Sequence, residues 1–153
     1  MLTDKEKDLL QKSILGTSGT NQKIKTMLIK KLSLDFDKRE VIKKKIKEQI
    51  KSKKCNKDIF YIYNLSSDIW YLAGDQSTDY NFYTKRIILA TILSKLYLKI
   101  LNSKNYDKDM LIVDIENELI KVRKFNKFKS QLSTIFNNIK KQNKNKKNFE
   151  RGY

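Results

Sequence analysis

Isoleucine and leucine recur every three or four residues between lysines and asparagines, the spacing that gathers apolar side chains on one face of a helix. Proline is absent and only four glycines occur, so little interrupts such helices, and long helices joined by short polar turns fit better than strands. Thr3 followed by Glu6 forms a capping-box pattern that opens a first short helix ending near Gly16. A second helix, over about 22–34, carries Ile24, Leu28 and Leu32 on one stripe. A third, over about 39–53, has a thin seam of Ile42, Ile46 and Ile50 among lysines and belongs on the outside of a bundle. An aromatic-rich fourth helix stops at Gly74, a left-handed stop signal. The most apolar helix then runs to about Leu101.

After the turn NSKNYDKD, Asp107 or Asp109 caps a helix that buries Ile112, Ile115, Leu119 and Val122. A last amphipathic segment spaces Phe125, Phe128, Leu132, Ile135, Phe136 and Ile139 against a lysine face. The expected fold class is all-α, a helical bundle. Its divisions are an N-terminal helix and turn over 1–20, a helical domain over 21–139, and a basic tail over 140–153 too polar and like-charged to pack. The longest apolar run, Ile87 to Leu101, is broken by Lys95 and Lys99 and is shorter than the roughly 20 residues that cross a bilayer.

The net charge of +17 points toward anionic partners, but its distribution is more informative than its size. Residues 21–57 carry 14 basic and 4 acidic side chains, residues 121–153 carry 11 and 1, and residues 58–120 carry 6 and 9. Two basic flanks thus enclose an acidic, aromatic middle, and their attraction could serve an anionic bilayer or the phosphates of nucleic acid. The acids near the N-terminus and the lack of an apolar leader argue against a secretory or transit peptide. The single Cys55 has no disulfide partner within the chain. These features suggest a cytoplasmic protein associated peripherally with the inner face of a membrane. Without histidine, a second cysteine or a glycine-rich phosphate loop, the usual nucleophile, base and metal-ligand sets cannot be assembled, so neither catalysis nor a metal or cofactor is expected.

The stretch AGDQSTDYNFYTKR, 73–86, interrupts the lysine-rich pattern with three aromatics and two acids. With the preceding DIWYL it supplies Trp70, then Gly74 and Asp75, Ser77, Thr78 and Asp79, Tyr80, Asn81, Phe82, Tyr83 and Thr84, and finally Lys85 and Arg86. This run closely resembles the signature of the TetR-like ubiquinone biosynthesis accessory proteins, the family of coenzyme Q biosynthesis protein nine. Similarity to that family continues more weakly to about Leu132.

The resemblance implies a bundle like the ligand-binding domain of TetR regulators, a homodimer, and an isoprenoid lipid or quinone precursor as ligand. It also implies a di-iron ubiquinone-pathway hydroxylase as partner. Its docking patch would comprise Asp79, Phe82, Tyr83, Arg86 and Ile69; Phe82 stands where the family usually has Trp and lacks the indole N–H. The lipid would lie against Trp70, Ile88, Ile92 and Leu96, and Phe125, Phe128, Leu132 and Phe136 would contact the membrane. Only 67 residues precede Asp68, so the family's N-terminal helix-turn-helix is shortened or lost and specific DNA binding is not expected. Simpler roles stay open: Asp75 and Asp79 as helix caps, Arg86 paired with either, and Trp70 with Tyr61, Tyr63 and Tyr71 as core or dimer interface. The function expected is a lipid-binding accessory factor that presents a quinone precursor to the hydroxylase; the alternative is a basic nucleic-acid-binding protein of TetR-like descent.

Overall fold

The computed structural model describes residues 2–51, 56–103 and 105–124, with side chains from 2–48, 60–103 and 105–124. It is an all-α bundle, as the apolar spacing predicts. The helices are α1 (Asp4–Ser13), α2 (Thr20–Asp37), α3 (Arg39–Lys51), α4 (Asn56–Leu72) and α5 (Tyr80–Asn102), followed by α6 over 108–124. The chain divides into two compact units, Met1–Glu118 and Leu119–Tyr153, and the sites described below lie in the first.

Local chemistry fixes the helix ends. The Glu6 backbone N–H donates to Thr3 Oγ1 at 3.3 Å, and the Thr3 N–H donates to Glu6 Oε2 at 2.9 Å, closing the capping box of α1. Gly74, at φ +87°, ends α4: its N–H reaches Tyr71 O and the Asp75 N–H reaches Trp70 O, both at 3.0 Å, the paired bonds of a Schellman motif. Asp79 opens α5 by accepting from the Asn81 N–H at 3.1 Å. Of the two candidate caps for α6, Asp107 accepts the Met110 N–H at 2.7 Å.

The core is a layer of leucine and isoleucine contributed by α2, α4, α5 and α6, with Leu10 of α1 and Leu2 just ahead of that helix closing it. Leu28, Leu65, Leu96 and Leu111 are fully buried within it. Ile24, Leu28 and Leu32 occupy the inner face of α2 as their spacing predicts. The helix itself extends three residues beyond Leu34, because Lys31 and Asp35 continue that stripe and are buried too. On α6 the expected stripe is displaced: Leu111 and Ile115 are fully buried, whereas Ile112, Leu119 and Val122 are half-buried. On α3, Ile42 and Ile46 are half-buried and Val41 is exposed, which suits an outer helix. Among the described residues no helix is long and apolar enough to cross a membrane. Phe125, Phe128, Leu132 and Phe136 lie outside the described residues, as does the basic tail.

Candidate partner-binding site at the α4–α5 turn

Antiparallel packing of α4 and α5 brings Ser66, Ser67 and Trp70 against the first turns of α5. Ser66 Oγ donates to Arg86 O at 2.7 Å and Trp70 Nε1 donates to Lys85 O at 3.1 Å, so α4 side chains reach the backbone of α5 directly. Between the helices, Asp75 collects three donors: Lys85 Nζ at 2.7 Å, Ser77 Oγ at 2.8 Å and Arg86 Nη1 at 3.1 Å. Burial by itself raises the Asp75 carboxyl, but hydrogen bonds from Lys85, Ser77 and Arg86 outweigh it and hold the group down at about 2. Of the two pairings open to Arg86 in the sequence, the structure makes the one with Asp75, while Asp79 serves as the α5 cap.

Arg86 is spent entirely within the fold. Its Nε donates to Ser67 Oγ at 3.2 Å and its Nη1 donates to Phe82 O at 3.0 Å as well as to Asp75. Its guanidinium carbon sits 3.4 Å from the centroid of the Phe82 ring, a stacked cation–π contact. Lys85 lies similarly over Trp70, at 5.3 Å. Phe82 is half-buried, and its ring meets that of Tyr83 nearly edge-on with centroids 5.1 Å apart.

Outside this clamp lies an apolar surface. Tyr80, Tyr83 and Ile87, at steps of three and four, share one face of α5 and are 75%, 58% and 57% exposed. Tyr71, in the last turn of α4, is 77% exposed. Two members of the sequence-derived patch need correction as surface residues. Ile69 is fully buried and Arg86 is 3% exposed, packed inside the fold, and Arg86 supports the Phe82 ring from beneath. Phe82 shows part of its ring, Tyr83 projects and Asp79 is exposed at the helix cap.

The residues expected to line a lipid site divide in the same way. Ile92 and Leu96 are buried in the core, whereas Trp70 and Ile88 are half-buried. A groove of about 540 Å³ runs where the end of α5 meets the start of α6. Lys99, Tyr106, Met110, Val113 and Asp114 line it with Ser103, Asp107 and Asp109, and none of the four expected lipid contacts is among them. Among the described residues no group of three or more Cys, Asp or Glu side chains could hold a metal ion.

A second polar cluster escaped the sequence reading. Lys31, 3% exposed, donates to Glu6 Oε1 at 2.7 Å and to Asp35 Oδ1 at 2.9 Å, and the Tyr97 hydroxyl donates to the other Asp35 oxygen. Burial alone lowers the Lys31 ammonium, but hydrogen bonding to Glu6 and the charge and hydrogen bond of Asp35 raise it above the ordinary lysine value. Burial likewise raises Glu6, and the Lys31 and Thr3 hydrogen bonds reverse that to hold it at about 2. The available signal was a Lys and an Asp four residues apart on the same stripe as Ile24 and Leu28. The cluster ties α1, α2 and α5 together.

Fold and site together define a helical module with an ion-paired inter-helix turn and exposed aromatic side chains on its outer face. Residues 57–126 match the COQ9 family, so this segment of the chain is similar to that family. The bovine protein "Ubiquinone biosynthesis protein COQ9, mitochondrial" is 36% identical over 56 residues, covering 37% of this chain and 18% of that protein. The human protein of the same name is 41% identical over 44 residues, covering 29% of this chain and 14% of that protein. The chain thus matches less than a fifth of the length of these curated relatives. No solved structure matches it.

Proposed function

We propose that the protein is a non-catalytic accessory factor in ubiquinone biosynthesis whose α4–α5 surface docks the di-iron hydroxylase of the pathway. The observation that supports this reading is the exposed α5 face of Tyr80, Tyr83 and Ile87, next to an ion-paired clamp within the segment that matches the family. Aromatic side chains on a rigid support lose little conformational freedom on binding and supply a large share of interface hot spots. In this proposal the protein is a homodimer that carries an isoprenoid quinone precursor and works at an anionic membrane surface, which its basic flanks attract. The enzyme partner supplies the iron.

The test is titration of the purified hydroxylase onto the full chain and onto Tyr83→Ser. Because Tyr83 is exposed, its loss should leave the melting temperature within about 1–2 °C of the parent, the range of ordinary surface substitutions. Affinity should fall about 5- to 30-fold, as for a contact contributing about 1–2 kcal/mol to an interface. Equal affinity of parent and variant would refute the docking reading.

A further inference from the structure

The geometry points to Arg86 as a buried positioning residue that sets the presentation of the Phe82–Tyr83 aromatic pair, with Asp75 and Ser67 holding Arg86 in place. This inference rests on the reading that the pair docks a protein. It adds that the contact surface is specified from below, by a side chain the partner cannot reach.

Three observations converge on it. First, the guanidinium has a fixed plane: Nε is committed to Ser67 Oγ and Nη1 to both Asp75 Oδ2 and Phe82 O. A planar fork held at two of its nitrogens cannot swing, unlike an ammonium on a flexible stem. Second, this plane meets the Phe82 ring at 3.4 Å, so the ring rests against the guanidinium. Third, Phe82 contacts Tyr83 edge-on at 5.1 Å, and Tyr83 is the exposed member. Position therefore passes from Asp75 through Arg86 and Phe82 to the Tyr83 ring, with contact at each step. The alternative anchor for Arg86, Asp79, is engaged in capping α5, so the direction of the clamp is fixed by the turn itself.

The experiment uses the full chain and four variants: Arg86→Lys, Ser67→Ala, Tyr83→Ala, and Arg86→Lys combined with Tyr83→Ala. Arg86→Lys keeps the charge beside Asp75 but removes the stacked plane. Ser67→Ala removes only the Nε acceptor and protects the test should Arg86→Lys fail to fold. The assigned Phe82 ring resonances are read by NMR in the free protein, and hydroxylase affinity is read by titration. Expected results are a displaced Phe82 ring signal in both clamp variants, a loss of affinity of about tenfold for Arg86→Lys, and no additional loss when it is combined with Tyr83→Ala. Additive losses in the double variant would overturn the inference, because Arg86 would then act independently of the pair. An unmoved Phe82 signal would overturn it as well. If Tyr83→Ala alone keeps full affinity, the docking reading falls by itself, and the Phe82 signal in the free clamp variants still decides whether Arg86 sets the ring.

Discussion

Replacing Lys31 with Met isolates the energetics of the buried cluster. The substitution keeps the unbranched side chain and removes the ammonium that stands 2.7 Å from Glu6 and 2.9 Å from Asp35. Breaking a buried ion pair by deleting one partner costs about 3–5 kcal/mol, chiefly because the survivor stays buried and uncompensated. Two features place Lys31→Met near the lower end. The Glu6 side chain is 34% exposed and can hydrate, and Asp35 retains the Tyr97 hydroxyl. A loss of about 3 kcal/mol in a chain of this size corresponds to a fall of roughly 6–12 °C in melting temperature. Guanidinium unfolding of the full chain, followed by far-UV circular dichroism at neutral pH, measures it, and an unchanged slope identifies the effect as one on stability. The double variant Lys31→Met with Asp35→Leu replaces the pair by apolar groups and should recover at least half the loss. If the single variant loses less than about 1 kcal/mol, or the double variant falls further than the single, the cluster does not stabilise the fold in the way its geometry indicates.

Acid should unfold the protein through the two depressed carboxyls. Glu6 and Asp75 sit at about 2 in the fold against ordinary values of 4.5 and 3.8, so the stability they contribute is present above those ordinary values and is lost as pH falls toward 2. Asp75→Asn should make the loss of melting temperature between neutral pH and pH 2 shallower than in the parent; an identical slope would remove Asp75 from the account. Gly74→Ala meets no atom within 4 Å, so its cost should be the backbone strain of φ +87° alone, about 1 kcal/mol, with Gly74→Asn costing less. A Gly74→Ala melting temperature equal to the parent's would show that the left-handed stop is not required.

The helices were legible because their signals are local. Thr3 with Glu6, Gly74 and Asp79 each mark a boundary through bonds made within a few residues, and the stripe of Ile24, Leu28 and Leu32 reports its face directly. The signature 68–86 was legible as a family mark, but its side-chain roles were not. Whether Arg86 points outward or into the α4–α5 contact depends on Ser67, 19 residues away, and on the path of the turn between them. The same holds for Ile69, which shares its helix with exposed Tyr71 and lies on the opposite face. On α6 the burial of Leu111 in place of Ile112 is a rotation about the helix axis, to which a near-continuous apolar run is indifferent. Lys31, Asp35 and Tyr97 were missed because the ion pair of two neighbours on α2 becomes a buried network only when Tyr97 arrives from 62 residues away.

Glu6 places its two oxygens in different parts of the molecule. One accepts the Thr3 backbone and hydroxyl, and the other accepts Lys31, 25 residues distant. A helix of 10 residues ordinarily frays from its first turn on a fast timescale, and its amides exchange with solvent almost without protection. Here, opening that turn also withdraws a carboxylate from a buried ammonium, and the Leu2 N–H gives up Asp68 on α4 as well. The amides of the first helix should therefore exchange as slowly as those of the second, as one cooperative unit, and hydrogen exchange would register the two as a single event despite the glycine-containing turn between them.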